Sequence, residues 1–142
     1  MLLEGKSAVV WGAGGMGGAM ARAFSRHGAV VHIASRTGSK LDAVAKDIEA
    51  DGGRVSVTEL DVFDVDAVEA LVAGLDRVDI SFNAVGLNVV QNKPLVTLTV
   101  EEFVTPVAQA ARSQFVTATA VARRMIDQRH GVIMMLSSSA AR

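Results

Sequence analysis

The chain has 142 residues, 50% of them hydrophobic and 20% charged, which suits one globular domain and excludes a disordered tail or a coiled coil. Its 14 basic and 15 acidic side chains leave a net charge of −1, so the charge balance favours neither nucleic acid nor an anionic membrane as a partner. Without cysteine there is no disulfide framework, thiolate nucleophile or zinc–thiolate site. His27, His32 and His130 lie too far apart in sequence for metal-ligand spacing, so no metal is expected.

Residues 1–6 are too short and too polar for a secretory signal, and no apolar stretch reaches the about 20 residues that span a bilayer. A soluble cytoplasmic protein is the expectation. Residues 7–11 read as a first strand. The chain then breaks into a glycine cluster, Gly12-Ala13-Gly14-Gly15-Met16-Gly17, and resumes as a helical pattern from Gly15 to about Arg26. Gly12, Gly14 and Gly17 fit G-x-G-x-x-G at a strand-to-helix junction. That spacing allows a tight turn, close approach of backbone to a pyrophosphate, and packing of helix on strand. The first N–H groups of the helix, at the positive end of its dipole, are expected to face phosphate oxygens.

His27-Gly28 supplies the helix stop, and residues 30–34 the second strand. At the end of a second strand in a βαβ dinucleotide site, a carboxylate grips the 2′-hydroxyl of NAD, whereas an arginine accommodates the 2′-phosphate of NADP. Here Ser35 is small and neutral, and Arg36 brings a planar cation suited to phosphate, so NADP(H) is expected rather than NAD(H). Leu41, Val44, Ala45 and Ile48 mark the buried stripe of a second helix, with Ser39 as the expected N-cap and Gly52-Gly53 as the stop.

A third strand is read at residues 55–60, followed by Asp61-Val62. Val65, Val68, Leu71 and Val72 give a third helix ending at Gly74. Residues 78–82 form a fourth strand, and Asn83-Ala84-Val85-Gly86 turn the chain out of the sheet. Residues 87–98, without a clear period, read as a surface loop. Thr99 and Glu102 have the spacing of a capping box, and helical periodicity then runs to about Arg129. Pro106 inside it predicts a kink or a late start. His130-Gly131 end the helix, and residues 132–136 form a fifth strand. The order β-α-β-α-β-α-β-α-β implies an α/β fold, a doubly wound parallel sheet of Rossmann type with strand order 3-2-1-4-5.

These landmarks, in this order, resemble the short-chain dehydrogenase/reductase family over nearly the whole chain. Gly12 to Gly17 are similar to its phosphate loop and Ser35-Arg36 to its NADP-selecting turn. Asp61-Val62 resemble the pair that contacts adenine, and Asn83-Ala84-Val85-Gly86 the Asn-Asn-Ala-Gly turn beside the nicotinamide sugar. The segment from Gly131 to Ser138 resembles the strand that delivers the catalytic serine, which places Ser138 against a substrate carbonyl. The resemblance implies hydride transfer between NADP(H) and a carbonyl or secondary alcohol. It also implies a homodimer or tetramer built on the long helix, whose stripe from Val107 to Met125 suits that role; a face buried within the chain explains the stripe equally well.

The sequence departs from the family pattern in several places. Trp11 stands where the phosphate loop usually begins with Thr, and the loop's glycines are spaced as if one residue were deleted. Ala84 replaces the second Asn of the turn. The helix-borne Asn that holds a proton-relay water falls at about Ala110, and neither Gln109 nor Gln114 is an evident substitute. The family's Tyr-x-x-x-Lys follows the serine, whereas this sequence has no Tyr and stops four residues after Ser138. The chain is therefore expected to be a dinucleotide-binding N-terminal part, inactive by itself, and Ser137-Ser138-Ser139 read equally as a polar strand end. A non-catalytic dinucleotide-binding sensor is the first rival reading. A nucleotide-using α/β enzyme such as a methyltransferase is the second; it calls for an acidic residue in place of Ser35-Arg36.

Overall fold

The computed structural model describes residues 1–137. Five parallel strands, β1 (Ser7–Trp11), β2 (Val30–Ser35), β3 (Arg54–Glu59), β4 (Ile80–Asn83) and β5 (Val132–Met135), lie in the order β3-β2-β1-β4-β5. Four helices connect them: α1 (Gly15–Arg26), α2 (Gly38–Ala50), α3 (Val65–Ala73) and α4 (Val100–Gln128). A short 3₁₀ turn, Leu95–Thr97, lies within the segment read as a surface loop.

Side chains of successive strand residues point to opposite faces, and β1 feeds a separate core on each. Ala8 and Val10 join Val31, Ile33, Phe24, Leu41, Val44 and Ile48 beneath α1 and α2. Val9 and Trp11 join Val68, Val72, Val116, Val121 and Met125 beneath α3 and α4. All five β1 residues are buried, which is why the strand after Ser7 reads as a continuous apolar run with no polar alternation.

Several boundaries move, each for a local reason. The N-cap of α2 is Thr37 rather than Ser39: its carbonyl accepts the N–H groups of Lys40 and Leu41 at 3.1 and 3.2 Å, so the helix begins at Gly38. β4 begins at Ile80 because Val78 is held outside the ladder by Gln128. That side chain accepts the Val78 N–H at 2.9 Å and donates to its carbonyl at 2.8 Å. The capping box of α4 is present, with Glu102 N–H donating to Thr99 Oγ1 at 3.1 Å and Thr99 N–H donating to Glu102 Oε2 at 2.8 Å. Pro106 causes no late start, since α4 begins at that cap and continues through the proline. Its stop is Arg129 in the left-handed conformation (φ 62°), one residue before the His-Gly pair.

The N-terminal end of the sheet is closed by a charged cluster. The buried Asp79 carboxylate accepts the Ser7 N–H at 2.8 Å and the Arg77 guanidinium at 2.6 Å, and His130 Nδ1 lies 3.3 Å away. Burial alone would push its pKa up. The hydrogen bonds from Arg77 and Ser7, with the charges of Arg77 and Lys6, outweigh that and hold it below the ordinary carboxylate value. His32 projects from β2 with Nδ1 2.6 Å from Ser56 Oγ, and burial lowers its pKa, so it packs as a neutral side chain. Among the described residues no acidic, histidine or cysteine cluster could hold a metal, and no helix is long and apolar enough to cross a membrane.

Candidate functional site

At the C-terminal end of the sheet, chain connections leave β1 and β4 in opposite directions. The crevice opened by such a reversal is the usual ligand position in this architecture. A cleft of about 420 Å³ lies there, lined by the glycine loop, the end of β2, the segment after β3 and the turn after β4.

The glycines of the loop do different work. Gly12 has φ +102°, and a Cβ on it would lie 2.6 Å from the Ala84 carbonyl oxygen. A Cβ on Gly17 would lie 1.9 Å from the Gly12 carbonyl oxygen, so this residue sets how closely α1 docks on the loop. Gly14 and Gly15 are the opposite case: a Cβ on either would meet nothing within 4 Å. They border the cleft, and their missing side chains leave room in it. Gly14 caps α1 with extended backbone and no side-chain hydrogen bond, and the first turn carries no acidic residue. The opening N–H groups of a helix have no intrahelical partner, and here Gly14, Gly15 and Met16 border the cleft, an arrangement suited to phosphate oxygens.

Ser35, Arg36, Thr37 and Lys40 line one end of the cleft. Ser35 Oγ accepts the Thr37 N–H at 3.4 Å, which shapes the turn. Among the described residues no ion pair engages Arg36 or Lys40. Asp61 and Val62 line the same end. Asp61 Oδ1 accepts the Phe63 N–H at 2.9 Å, so one carboxylate oxygen is committed to the turn.

Ala84, Val85 and Gly86 form the wall on the β4 side, and Ala13 and Met16 also line the cleft. Two residues expected to touch a cofactor stand behind the lining instead. Gly17 is buried under the loop, and Asn83 is turned into the protein, where its side chain donates to Thr117 Oγ1 at 2.9 Å and accepts the Val85 N–H at 3.0 Å. Ser138 lies outside the described residues.

Three features escaped the reading of the sequence. Trp11 is fully buried, and its indole N–H donates to the buried Ser81 Oγ at 3.0 Å, so the departure from Thr is matched by a polar partner on the neighbouring strand. Lys40 adds a second cation to the arginine end of the cleft. Gln109 and Gln114, considered only as substitutes for the missing Asn, take other tasks. Gln109 accepts the Asn88 N–H at 3.4 Å, and Gln114 donates to the Leu136 carbonyl at 3.2 Å, tethering the end of β5. A lysine four residues after an arginine was a readable signal; the buried pairs were not.

A doubly wound parallel sheet with a glycine-lined cleft at its reversal point defines a Rossmann-type protein. The profile of the short chain dehydrogenase family matches residues 6–142, and the chain belongs to that family of oxidoreductases. It is 32% identical to gluconate 5-dehydrogenase of Gluconobacter oxydans over 96% of this chain and 54% of that protein. D-threitol dehydrogenase of Mycolicibacterium smegmatis is 30% identical over 98% of this chain and 55% of that protein. Both are dehydrogenases by name, which does not favour the non-catalytic sensor. Among solved structures, a short-chain type dehydrogenase/reductase from Mycobacterium marinum superposes with a TM-score of 0.84 at 31% identity, covering 96% of this chain and 57% of that one. A metagenomic short-chain oxidoreductase in complex with NADP gives 0.83 at 33% identity, covering 99% of this chain and 65% of that one. The chain thus spans little more than half the length of these two relatives.

Proposed function

We propose that residues 1–142 form the NADP(H)-binding part of an oxidoreductase that moves a hydride between nicotinamide and a carbonyl or secondary alcohol. The observation that carries this reading is the composition of one cleft. Side-chain-free backbone at the start of α1 shares the cleft with Arg36 on the turn after β2 and Lys40 at the start of α2, with Ser35 where an NAD-selecting carboxylate would stand. The residues fit such a group, since Gly14 and Gly15 leave open the volume that a Cβ would enter.

In this reading the N–H groups of Gly15 and Met16 hold the diphosphate, and Arg36, supported by Lys40, holds the 2′-phosphate through charge-assisted hydrogen bonds. Asp61 and Val62 border the adenine, and Ala84, Val85 and Gly86 the second nucleoside. NADP(H) supplies the hydride when bound. Ser138 would donate a hydrogen bond to the substrate carbonyl oxygen, orienting it and drawing electron density from its carbon. The partner is a small carbonyl or alcohol compound. The exposed face of α4 bearing Phe103, Val104 and Val107 suits a homo-oligomeric contact.

Titration with NADPH and NADH, in wild type and Arg36→Ala, tests the proposal. Wild type is expected to prefer NADPH, and the variant to lose about tenfold or more toward NADPH while NADH binding stays level. An unchanged preference in the variant would remove Arg36 from the site.

A further inference from the structure

The polar chain behind the β4 wall has a direction. Thr117, on α4 and buried, has one hydroxyl proton, and Oγ1 lies 2.9 Å from the Ser113 carbonyl one turn earlier. A carbonyl can only accept, so the threonine proton is committed to it, and Oγ1 faces Asn83 as an acceptor. Asn83 answers with its NH2 group, at 2.9 Å. With that end of the amide fixed, Oδ1 is turned toward the Val85 N–H, which it accepts at 3.0 Å. Ala84 N–H is taken by the Trp11 carbonyl at 2.8 Å. Two consecutive N–H groups of the turn are therefore anchored, one by β1 and one through Asn83 by α4.

The consequence falls on one half of the cleft. The cationic turn after β2 marks the end that takes the 2′-phosphate, and the α1 N-terminus lies in the middle. The wall at Ala84, Val85 and Gly86 then faces the other nucleoside. We infer that Thr117, which touches no part of the cleft itself, is the positioning residue that sets this wall for the nicotinamide half of the dinucleotide. The inference rests on the reading of the cleft as an NADP(H) site. Valine has the shape of threonine without the acceptor. In Thr117→Val the Asn83 NH2 faces a methyl group in place of its acceptor, so the amide is held by the Val85 N–H alone and the tie between the turn and α4 is cut. Serine keeps the acceptor and the bond to Ser113, so it should keep the wall.

The test uses two probes: NADPH, and adenosine 2′,5′-bisphosphate, which carries only the 2′-phosphate half. Thr117→Val is expected to weaken NADPH about tenfold, leave adenosine 2′,5′-bisphosphate within about twofold, and speed amide hydrogen exchange at Val85. Thr117→Ser is expected to restore NADPH affinity and Val85 protection. Equal losses on both probes in Thr117→Val would mean a general packing defect and overturn the inference, as would full NADPH affinity in that variant. Should Thr117→Val not fold, Thr117→Ser decides: a tenfold loss of NADPH affinity there overturns the inference, and near wild-type affinity supports it. Wild type binding neither probe would defeat the cofactor assignment and this inference together, whereas wild type binding both beside an unaffected Thr117→Val would defeat the inference alone.

Discussion

Replacing Gly15 by alanine separates stability from binding. A Cβ at Gly15 meets no atom within 4 Å, and the residue opens α1 with an ordinary negative φ, so the methyl group enters free space. Alanine loses less backbone entropy than glycine on entering a helix, so Gly15→Ala should raise stability by about 0.5 kcal/mol. The same methyl projects where the phosphates would sit and should weaken NADPH binding at least about tenfold, or roughly 1.4 kcal/mol. Gly17→Ala is the contrasting change. Its Cβ would start 1.9 Å from the Gly12 carbonyl oxygen, whereas ordinary contact begins at 3.4 Å, so α1 and the loop must separate by the difference, 1.5 Å. Both neighbours are backbone and neither can rotate away, so the cost should reach about 3 kcal/mol, the upper part of the usual overpacking range. Urea unfolding followed by the fluorescence of Trp11, the single tryptophan, reads stability; equilibrium titration with NADPH reads binding. A Gly15→Ala protein that binds NADPH as wild type does would place the phosphates elsewhere. A Gly17→Ala protein as stable as wild type would refute the packing argument.

Ser81→Ala strips the acceptor from the buried Trp11 indole N–H and should cost about 1–3 kcal/mol, while Trp11→Phe combined with Ser81→Ala should cost less than the two single changes added; circular dichroism in urea measures both. Asp79 has a folded-state pKa below its unfolded value, so its contribution is fully present above about pH 4 and is lost as pH falls further. Urea midpoints should therefore drop on acidification below about pH 4, with a shallower drop in Asp79→Asn; parallel acid curves would exclude this carboxylate as the source.

The fold was legible because its signals are local and repeated. The apolar run at β1 and the β-branched run opening β2 mark buried strands, the stripe through Leu41, Val44 and Ile48 marks a helix, and glycines punctuate the joins. The glycine spacing also placed the cleft at the end of β1, because each requirement it encodes is met within six residues. What stayed hidden are pairings across the sheet. Trp11 and Ser81 are 70 positions apart, Ser7 and Asp79 are 72, and Asn83 and Thr117 are 34, with no periodicity joining them. Asn83 is expected beside the nicotinamide sugar from the resemblance of its turn to Asn-Asn-Ala-Gly, and that resemblance carries no signal of its bond to Thr117. The α2 cap slipped for a smaller reason: Thr37 and Ser39 are comparable candidates by residue type, and only the backbone bonds from Lys40 and Leu41 to Thr37 separate them.

The two ends of the sheet resolve the same problem in opposite ways. A parallel sheet with helices on both faces leaves strand-end and helix-end polar groups at its top and bottom, and each must find a partner. At the bottom, Asp79 supplies one from within, gathering the Ser7 N–H and Arg77 beside His130. At the top, β1 is followed by backbone with no side chain to fold back, and the opening turn of α1 has neither a capping side chain nor a carboxylate. Had Ser, Thr or Asp stood at Gly14, its oxygen would accept an N–H of the opening turn that no side chain takes now. With glycine at that position the omitted cap costs only about a few tenths of a kcal/mol, and α1 docks as closely on β1 as Gly12 and Gly17 permit. A helix packed that tightly and left uncapped at its exposed end is stabilised by whatever anion completes it. For this chain, ligand binding should therefore appear as a gain in global stability as well as occupancy of a cleft, with the unfolding midpoint rising as NADPH is added.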